Sequence, residues 1–226
     1  MFFPEKIRSI NSSDYVLEIG PGGNPHPRSD ILLEMKFDDE KEAEIQRSYM
    51  PPLKTEKKVV YYDGNHFPFE NKEFDYVICS HVLEHVGNIE LFLSELIKIA
   101  YRGYIEFPTI YYDYLYNMPT HKTMLMYKND IIWYLPKENT PIAQSKPITD
   151  FFNKTLELRY SDIIKDLKQF FFQGFEWDGD IKFKKAESLE DITYNLMEIN
   201  LQKKERDNIK KKIVREFKRL FIKTKN

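Results

Sequence analysis

The stretch Tyr15-Val16-Leu17-Glu18-Ile19-Gly20-Pro21-Gly22-Gly23-Asn24 constrains this chain more than any other. It begins as an apolar strand, Tyr15 to Leu17, and breaks into a glycine-rich turn. Such a turn lets backbone N–H groups approach a ligand where a Cβ would collide. Glu18 stands just before the glycines. A second strand, Ile31-Leu32-Leu33, follows and ends in a second acid, Glu34. This is the layout of a nucleotide-type site in an open α/β sheet, with the ligand across the carboxyl ends of adjacent strands.

The pattern is not a dinucleotide fingerprint. G-x-G-x-x-G needs glycine at position 25, which is Pro25, and a helix opening there. Asn24-Pro25-His26-Pro27-Arg28 resists regular helix, because proline lacks an N–H and crowds the preceding turn.

Further strands follow at regular intervals. Val59-Val60-Tyr61-Tyr62 is closed by Asp63-Gly64-Asn65, a turn with a polar tip. Phe74 to Ser80 shows little alternation, as expected of a strand covered on both faces. Asn88 can cap a helix whose apolar positions Ile89, Phe92, Leu93, Leu96, Ile97 and Ala100 form one stripe. Gly103 reads as its punctuation, and Tyr104 to Phe107 as a fifth strand stopped by Pro108. Short apolar strands with a helix between the fourth and fifth predict a mostly parallel sheet.

Beyond Pro108 the pattern changes. Tyr111, Tyr112, Tyr114 and Tyr116 crowd a segment that reads equally as acceptor-pocket lining or as packing. Thr123 to Tyr127 and Ile131 to Leu135 predict a hairpin around Lys128-Asn129-Asp130. Ser161 to Gln173 reads as a helix with Gly174 as its stop. Phe175 to Trp177 and Ile181 to Phe183 flank Asp178-Gly179-Asp180 as a second hairpin candidate. Ser188-Leu189-Glu190-Asp191 is a capping-box pattern for a C-terminal helix.

The acid-turn-glycine motif, in order with Phe67-Pro68-Phe69, Phe74-Asp75 and Val82-Leu83-Glu84-His85, resembles the class I S-adenosylmethionine (SAM) dependent methyltransferases, in their type 11 branch. The resemblance covers roughly Asp14 to Pro108. It implies an α/β fold: a Rossmann-like, mostly parallel sheet with helices on both faces, a substrate-side insertion and a helical C-terminus. It implies SAM as cofactor and S-adenosylhomocysteine as product. Glu18, Gly20, Gly22, Gly23 and Asn24 then lie near the methionine part, and Glu34 is placed to accept from the ribose hydroxyls. Asp63 would meet the adenine amine, with Gly64 and Asn65 offering backbone and Phe67 a wall. Ser80 and His81 would stand beside the cofactor. The short interval between Gly22 and Glu34 departs from the family's usual first helix.

Methyl transfer from a sulfonium is an in-line displacement that depends on alignment, and a hydroxyl acceptor benefits from a base. His81, His121 and Glu106 are the candidates, and His85 reads as a packing residue. No metal site is expected, since His81-x-x-Glu84-His85 lacks the H-E-x-x-H order. Cys79, the single cysteine, reads as core and excludes an intrachain disulfide.

Composition bounds the remaining choices. The 226 residues allow one sizeable domain plus an appendage. No apolar run approaches the roughly 20 residues of a membrane span, and the start lacks signal-peptide character. A cytoplasmic setting is the default reading. Residues 201–226 hold eleven Lys or Arg against three acids, on a chain whose net charge is −2. The remainder is acidic, which disfavours nucleic acid. The expected organisation is a SAM-binding core over 1–110, an acceptor-side region over 111–186 and a basic amphipathic helix over 187–226. That helix docks on its own domain, on a membrane surface or on a protein partner. The oligomeric state is open.

The function expected from the resemblance is O-methylation of a small-molecule or carbohydrate acceptor, with polysaccharide biosynthesis as the leading setting. A base N-methyltransferase is disfavoured, because Ser80-His81-Val82-Leu83 stands where an Asn/Asp-Pro-Pro-aromatic motif would be. Aminopropyl transfer would need an acidic polyamine pocket, and no clear one is seen. The alternative is a non-catalytic SAM- or nucleotide-binding subunit that docks through its basic helix.

Overall fold

The computed structural model describes residues 1–37, 39, 41 and 53–194. Met1–Thr193 forms one compact unit. The basic segment 201–226 lies outside the described residues, as does most of the charged segment 38–52. Within 187–194 the described chain makes one short turn, Glu190–Ile192. The Asp191 carboxylate accepts there from the amides of Glu187 (2.9 Å) and Ser188 (3.1 Å).

Apolar runs build the centre. β1 (Val16–Ile19) is buried along its length, and β4 (Phe74–Ser80) nearly so. They pair in parallel, with β2 (Ile31–Met35) and β3 (Lys58–Tyr62) added outward on the β1 side. β5 (Ala100–Pro108) lies parallel to β4. β8 (Phe172–Asp178) closes the row antiparallel to β5, so the six-stranded order is β3-β2-β1-β4-β5-β8. The 111–186 region therefore contributes a strand to the sheet of the 1–110 region.

One sheet face carries Ile19, Leu33, Val77, Cys79 and Ile105 into the main core. Helix α1 (Ile89–Ile99) packs there through Phe92, Leu93, Leu96 and Ile99. Leu93, Leu96 and Ile99 are fully buried, each stabilising by about 1.5–3 kcal/mol relative to exposure. The Asn88 side chain accepts from the Leu91 amide at 3.1 Å and starts this helix. On the opposite face Val16, Tyr76, Ile78 and Tyr104 meet Ile7 and Ile10 of the N-terminal segment.

A second sheet, order β6-β7-β9, comprises β6 (Thr123–Lys128), β7 (Ile131–Pro136) and β9 (Phe183–Lys185). Asn129 (φ 54°) and Asp130 (φ 57°) make the two-residue turn of the predicted hairpin. Positive φ at both central residues suits the strand twist. The Gln173 side chain clamps the two sheets, donating to the Tyr127 carbonyl (2.8 Å) and accepting from its amide (2.7 Å).

Three readings are corrected. The helix expected over 161–173 is instead two short turns of helix, Asp162–Asp166 and Lys168–Phe171, and then β8. Gly103 and Gly174 stop nothing, because both lie inside strands: a Cβ at Gly103 would strike the Val77 carbonyl, and one at Gly174 the Tyr104 hydroxyl. The second hairpin is absent, since β8 joins β5 while β9 pairs in parallel with β7.

Candidate functional site

The carboxyl ends of the parallel strands bring the motif residues into one row. Ile19 is level with Leu33 on β2 and with Cys79 on β4, and Ser80 is level with Glu106. Gly20 and Glu34 follow in that same row, and the Gly20 amide donates to the Leu33 carbonyl at 2.9 Å. Asp63 follows β3 directly.

The turn after β1 needs its glycines. Gly20 has φ +58°, and a Cβ there would lie 2.6 Å from Val82 Cγ2. Gly22 has φ +60° with nothing within 4 Å of where a Cβ would stand. Gly23 is half-buried and Asn24 exposed. The loop is held from beneath by Glu18, whose Oε2 accepts from Ser29 Oγ (2.6 Å) and the His26 amide (2.7 Å). Burial pushes the Glu18 carboxyl above its ordinary value, and these two donors oppose that. Glu18 therefore shapes the loop. Lys57 Nζ adds a brace by donating to the carbonyls of His26 (3.1 Å) and Pro27 (3.2 Å).

Glu34 is half-buried, and Asp63, Gly64 and Asn65 are exposed. Asp63 accepts from the Asn65 amide at 3.0 Å, which holds its carboxyl below the usual range. Phe67 is placed in the core, edge-on to Tyr62 and Phe92, with ring centroids 5.3 Å away in each case. With 3% exposure it offers a ligand almost no wall.

His81 follows β4 in the left-handed region, φ 58°. Its Nδ1 lies 3.2 Å from Glu84 Oε1 and its Nε2 3.0 Å from Glu106 Oε1. Burial opposes the imidazolium, yet the two carboxylates overcome it and raise the pKa to about 9. Glu106 also accepts from Tyr104 Oη (2.6 Å), Ser80 Oγ (3.2 Å) and the amides of Phe2 (2.5 Å) and Phe3 (2.9 Å). Its own burial works against ionisation, but His81 and these donors hold it at about 2. A protonated His81 and a fully engaged Glu106 are poor bases; together they close the end of the sheet. The stacked rings of Phe2 and Phe172, centroids 3.8 Å apart, cover them.

His121 stands apart from this row, just before β6. Its Nδ1 lies 2.5 Å from Asp113 Oδ1 on α2 (Ile110–Tyr116), and no other described residue hydrogen-bonds its Nε2. Tyr116 of the same helix is wholly buried, so this part of the aromatic segment is packing. His121, Thr123, Lys137, Glu138 and Thr140 help line a cleft of about 540 Å³. Glu84 and His85, on the turn Leu83–His85, come beside His121, and one ligand atom from each of the three lies within 4.8 Å of the others. Among the described residues this is the one such grouping. Asp113 escaped the sequence reading because it looked like one more polar position among tyrosines.

Residues 36–103 match a family model described as a methyltransferase domain. Over these residues the chain is similar to a class I, type 11 methyltransferase domain. That domain implies S-adenosyl-L-methionine as cofactor, and the β3-β2-β1-β4-β5-β8 sheet agrees with the Rossmann-like fold expected of it. A search of curated proteins finds no significant match. Solved methyltransferase structures resemble the chain at low identity. A SAM-dependent methyltransferase from Thermotoga maritima is 19% identical, over 47% of this chain and 49% of that one, with TM-score 0.32. One from Methanosarcina mazei is 12% identical, over 53% and 69%, with TM-score 0.33. One from Aquifex aeolicus is 14% identical, over 42% and 57%, with TM-score 0.29. The chain spans about half the length of the first solved structures that it matches. No helix among the described residues is long and apolar enough to cross a membrane.

Proposed function

We propose that this chain binds SAM across the carboxyl ends of β1 to β4 and catalyses methylation of an oxygen on a small-molecule or carbohydrate acceptor. The observation that carries this reading is the row of Gly20, Glu34 and Ser80, with the exposed Asp63 just past the end of β3. The residues fit the cofactor. Gly22 leaves open space where any other residue would place a side chain. Asp63 is ionised and exposed, as recognition of an amine or hydroxyl requires.

Bound there, SAM supplies an activated methyl group on a sulfonium. The chain's own part is placement. Glu18 and Lys57 set the loop that carries Gly20 and Gly22. The His81–Glu106 pair fixes the floor beside Ser80 and contributes no base. Of the three base candidates only His121 keeps a ring nitrogen without a described hydrogen-bond partner. Acceptor activation therefore centres on His121, either at Nε2 itself or through what Nε2 binds.

The test is calorimetric titration of the purified chain with SAM and with S-adenosylhomocysteine. It is followed by a methylation screen of nucleotide sugars and other hydroxyl acceptors. Micromolar binding of both ligands with turnover on a hydroxyl supports the reading. Failure of the folded protein to bind either one refutes it. Binding without turnover on any acceptor favours the non-catalytic subunit.

A further inference from the structure

A cluster of polar side chains lies behind the end of β4. Glu84 and His85 sit on the single turn Leu83–His85 that follows β4, and His121 comes from the segment before β6. The Lys122 amide donates to the Glu84 carbonyl at 2.8 Å and ties the two segments together.

Both imidazoles are oriented from behind. His85 Nδ1 lies 3.1 Å from the Thr120 carbonyl. A carbonyl can only accept, so Nδ1 carries the proton and Nε2 keeps its lone pair. His121 Nδ1 faces the Asp113 carboxylate in the same way, at 2.5 Å. An imidazole whose rear nitrogen donates to a carbonyl or carboxylate is the usual arrangement of a metal-ligating histidine.

Such pairs also occur as plain structural hydrogen bonds. Unsatisfied atoms tell the two apart. Glu84 is 1% exposed, and its Oε2 is buried with no partner. Asp113 Oδ2 and Thr120 Oγ1, in the groups behind the two rings, are likewise buried and unpartnered. A buried carboxylate oxygen left unpaired is costly, and a cation bound by Glu84 Oε2 removes that cost. The three ligand atoms lie within 4.8 Å of one another. Tetrahedral coordination at 2.0–2.2 Å places ligand atoms about 3.4 Å apart, so binding requires the three side chains to close around the ion.

We infer that Glu84, His85 and His121 bind a divalent transition-metal ion, with Asp113 and the Thr120 carbonyl orienting the two imidazoles. Two imidazoles and one carboxylate suit zinc, cobalt, nickel or iron(II) better than magnesium or calcium, which prefer oxygen ligands throughout. His121 also lines the cleft of about 540 Å³. The inference does not rest on methyl transfer, because ion binding is read without cofactor or acceptor.

The experiment uses the full chain, stripped with a chelator and titrated with Co2+, then with Zn2+ in competition. The expected result is one equivalent of Co2+, with visible d–d bands of low-symmetry coordination that Zn2+ abolishes. Asp113→Asn keeps the side-chain volume and should weaken affinity about 10- to 100-fold. Glu84→Gln should weaken it at least as much, and His85→Ala/His121→Ala should abolish the bands. His66→Ala, at an exposed histidine, should change nothing. The inference is overturned if the folded wild-type chain takes up no stoichiometric ion. It is equally overturned if folded Glu84→Gln and Asp113→Asn bind as tightly as wild type. Should the double variant fail to fold, these two isosteric variants decide alone.

Discussion

His81 Nε2 lies 3.0 Å from Glu106 Oε1, an ion pair joining the ends of β4 and β5. The same ring reaches Glu84 Oε1 at 3.2 Å, so one imidazolium serves two buried carboxylates. His81→Ala would leave both without their cation. Removing one partner of a buried pair costs about 3–5 kcal/mol. His81 is itself a quarter exposed, so the expectation is the lower end, about 3 kcal/mol in urea unfolding. An unchanged midpoint would show that the pair contributes nothing in solution.

Acid should release the N-terminal segment. Glu106 holds the Phe2 and Phe3 amides, and Glu176 holds those of Arg8 (3.0 Å) and Ser9 (2.9 Å). Glu106 is held at about 2 against an ordinary 4.5. Glu176 is also lowered, through Ser9, Tyr76 and Arg8, against its own burial. Folded values below the unfolded value mean stability that is complete above pH about 4.5 and falls as pH drops toward about 2. Amide protection factors over residues 2–9, with exchange corrected for its intrinsic pH dependence, should therefore fall across this window. Protection factors over residues 2–9 that stay flat from pH 5 to about pH 2.5 would contradict it.

The two glycines of the first turn should separate folding from binding. Gly20→Ala meets Val82 Cγ2 at 2.6 Å as well as the left-handed φ, so about 2–4 kcal/mol of stability should be lost. Val82→Ala in that background should recover part of it. Gly22→Ala meets no neighbour and should cost only about 1 kcal/mol. Its added methyl stands where the cofactor backbone is expected, so SAM affinity should fall although the variant folds. Thermal denaturation beside calorimetry reads both, and full SAM affinity in Gly22→Ala would move the ligand off this turn.

Glu34→Ala and Asp63→Ala should each weaken SAM binding about fivefold or more, the scale of a lost charge-assisted hydrogen bond. Neither side chain is core, so both variants should melt close to wild type. Unchanged affinity in both would remove them from the site.

The strands of the parallel sheet were legible because each is a short apolar run ending in a polar or glycine residue, and such runs need no knowledge of their neighbours. The α1 stripe and its Asn88 cap were legible for the same reason: helical period and cap are local. Gly103 and Gly174 misled. A glycine reads as a stop along the chain, but here each makes room for a group on the adjacent strand, the Val77 carbonyl or the Tyr104 hydroxyl. The segment before β8 misled because Lys168 to Phe171 has helical character, while pairing with β5 claims the residues from Phe172 onward.

By itself the sequence determined the class of fold, the strand-end acids and the glycine turn, since hydrophobic period and backbone freedom are properties of neighbouring residues. Tertiary structure alone decided what the titratable groups do. It turned His81 from a candidate base into a shared cation, placed Phe67 in the core, and made Glu18 the anchor of its loop. It also brought Asp113, Glu84 and His85 to His121. Charge state and ligation depend on burial and on partners tens of residues away, and no local pattern carries either.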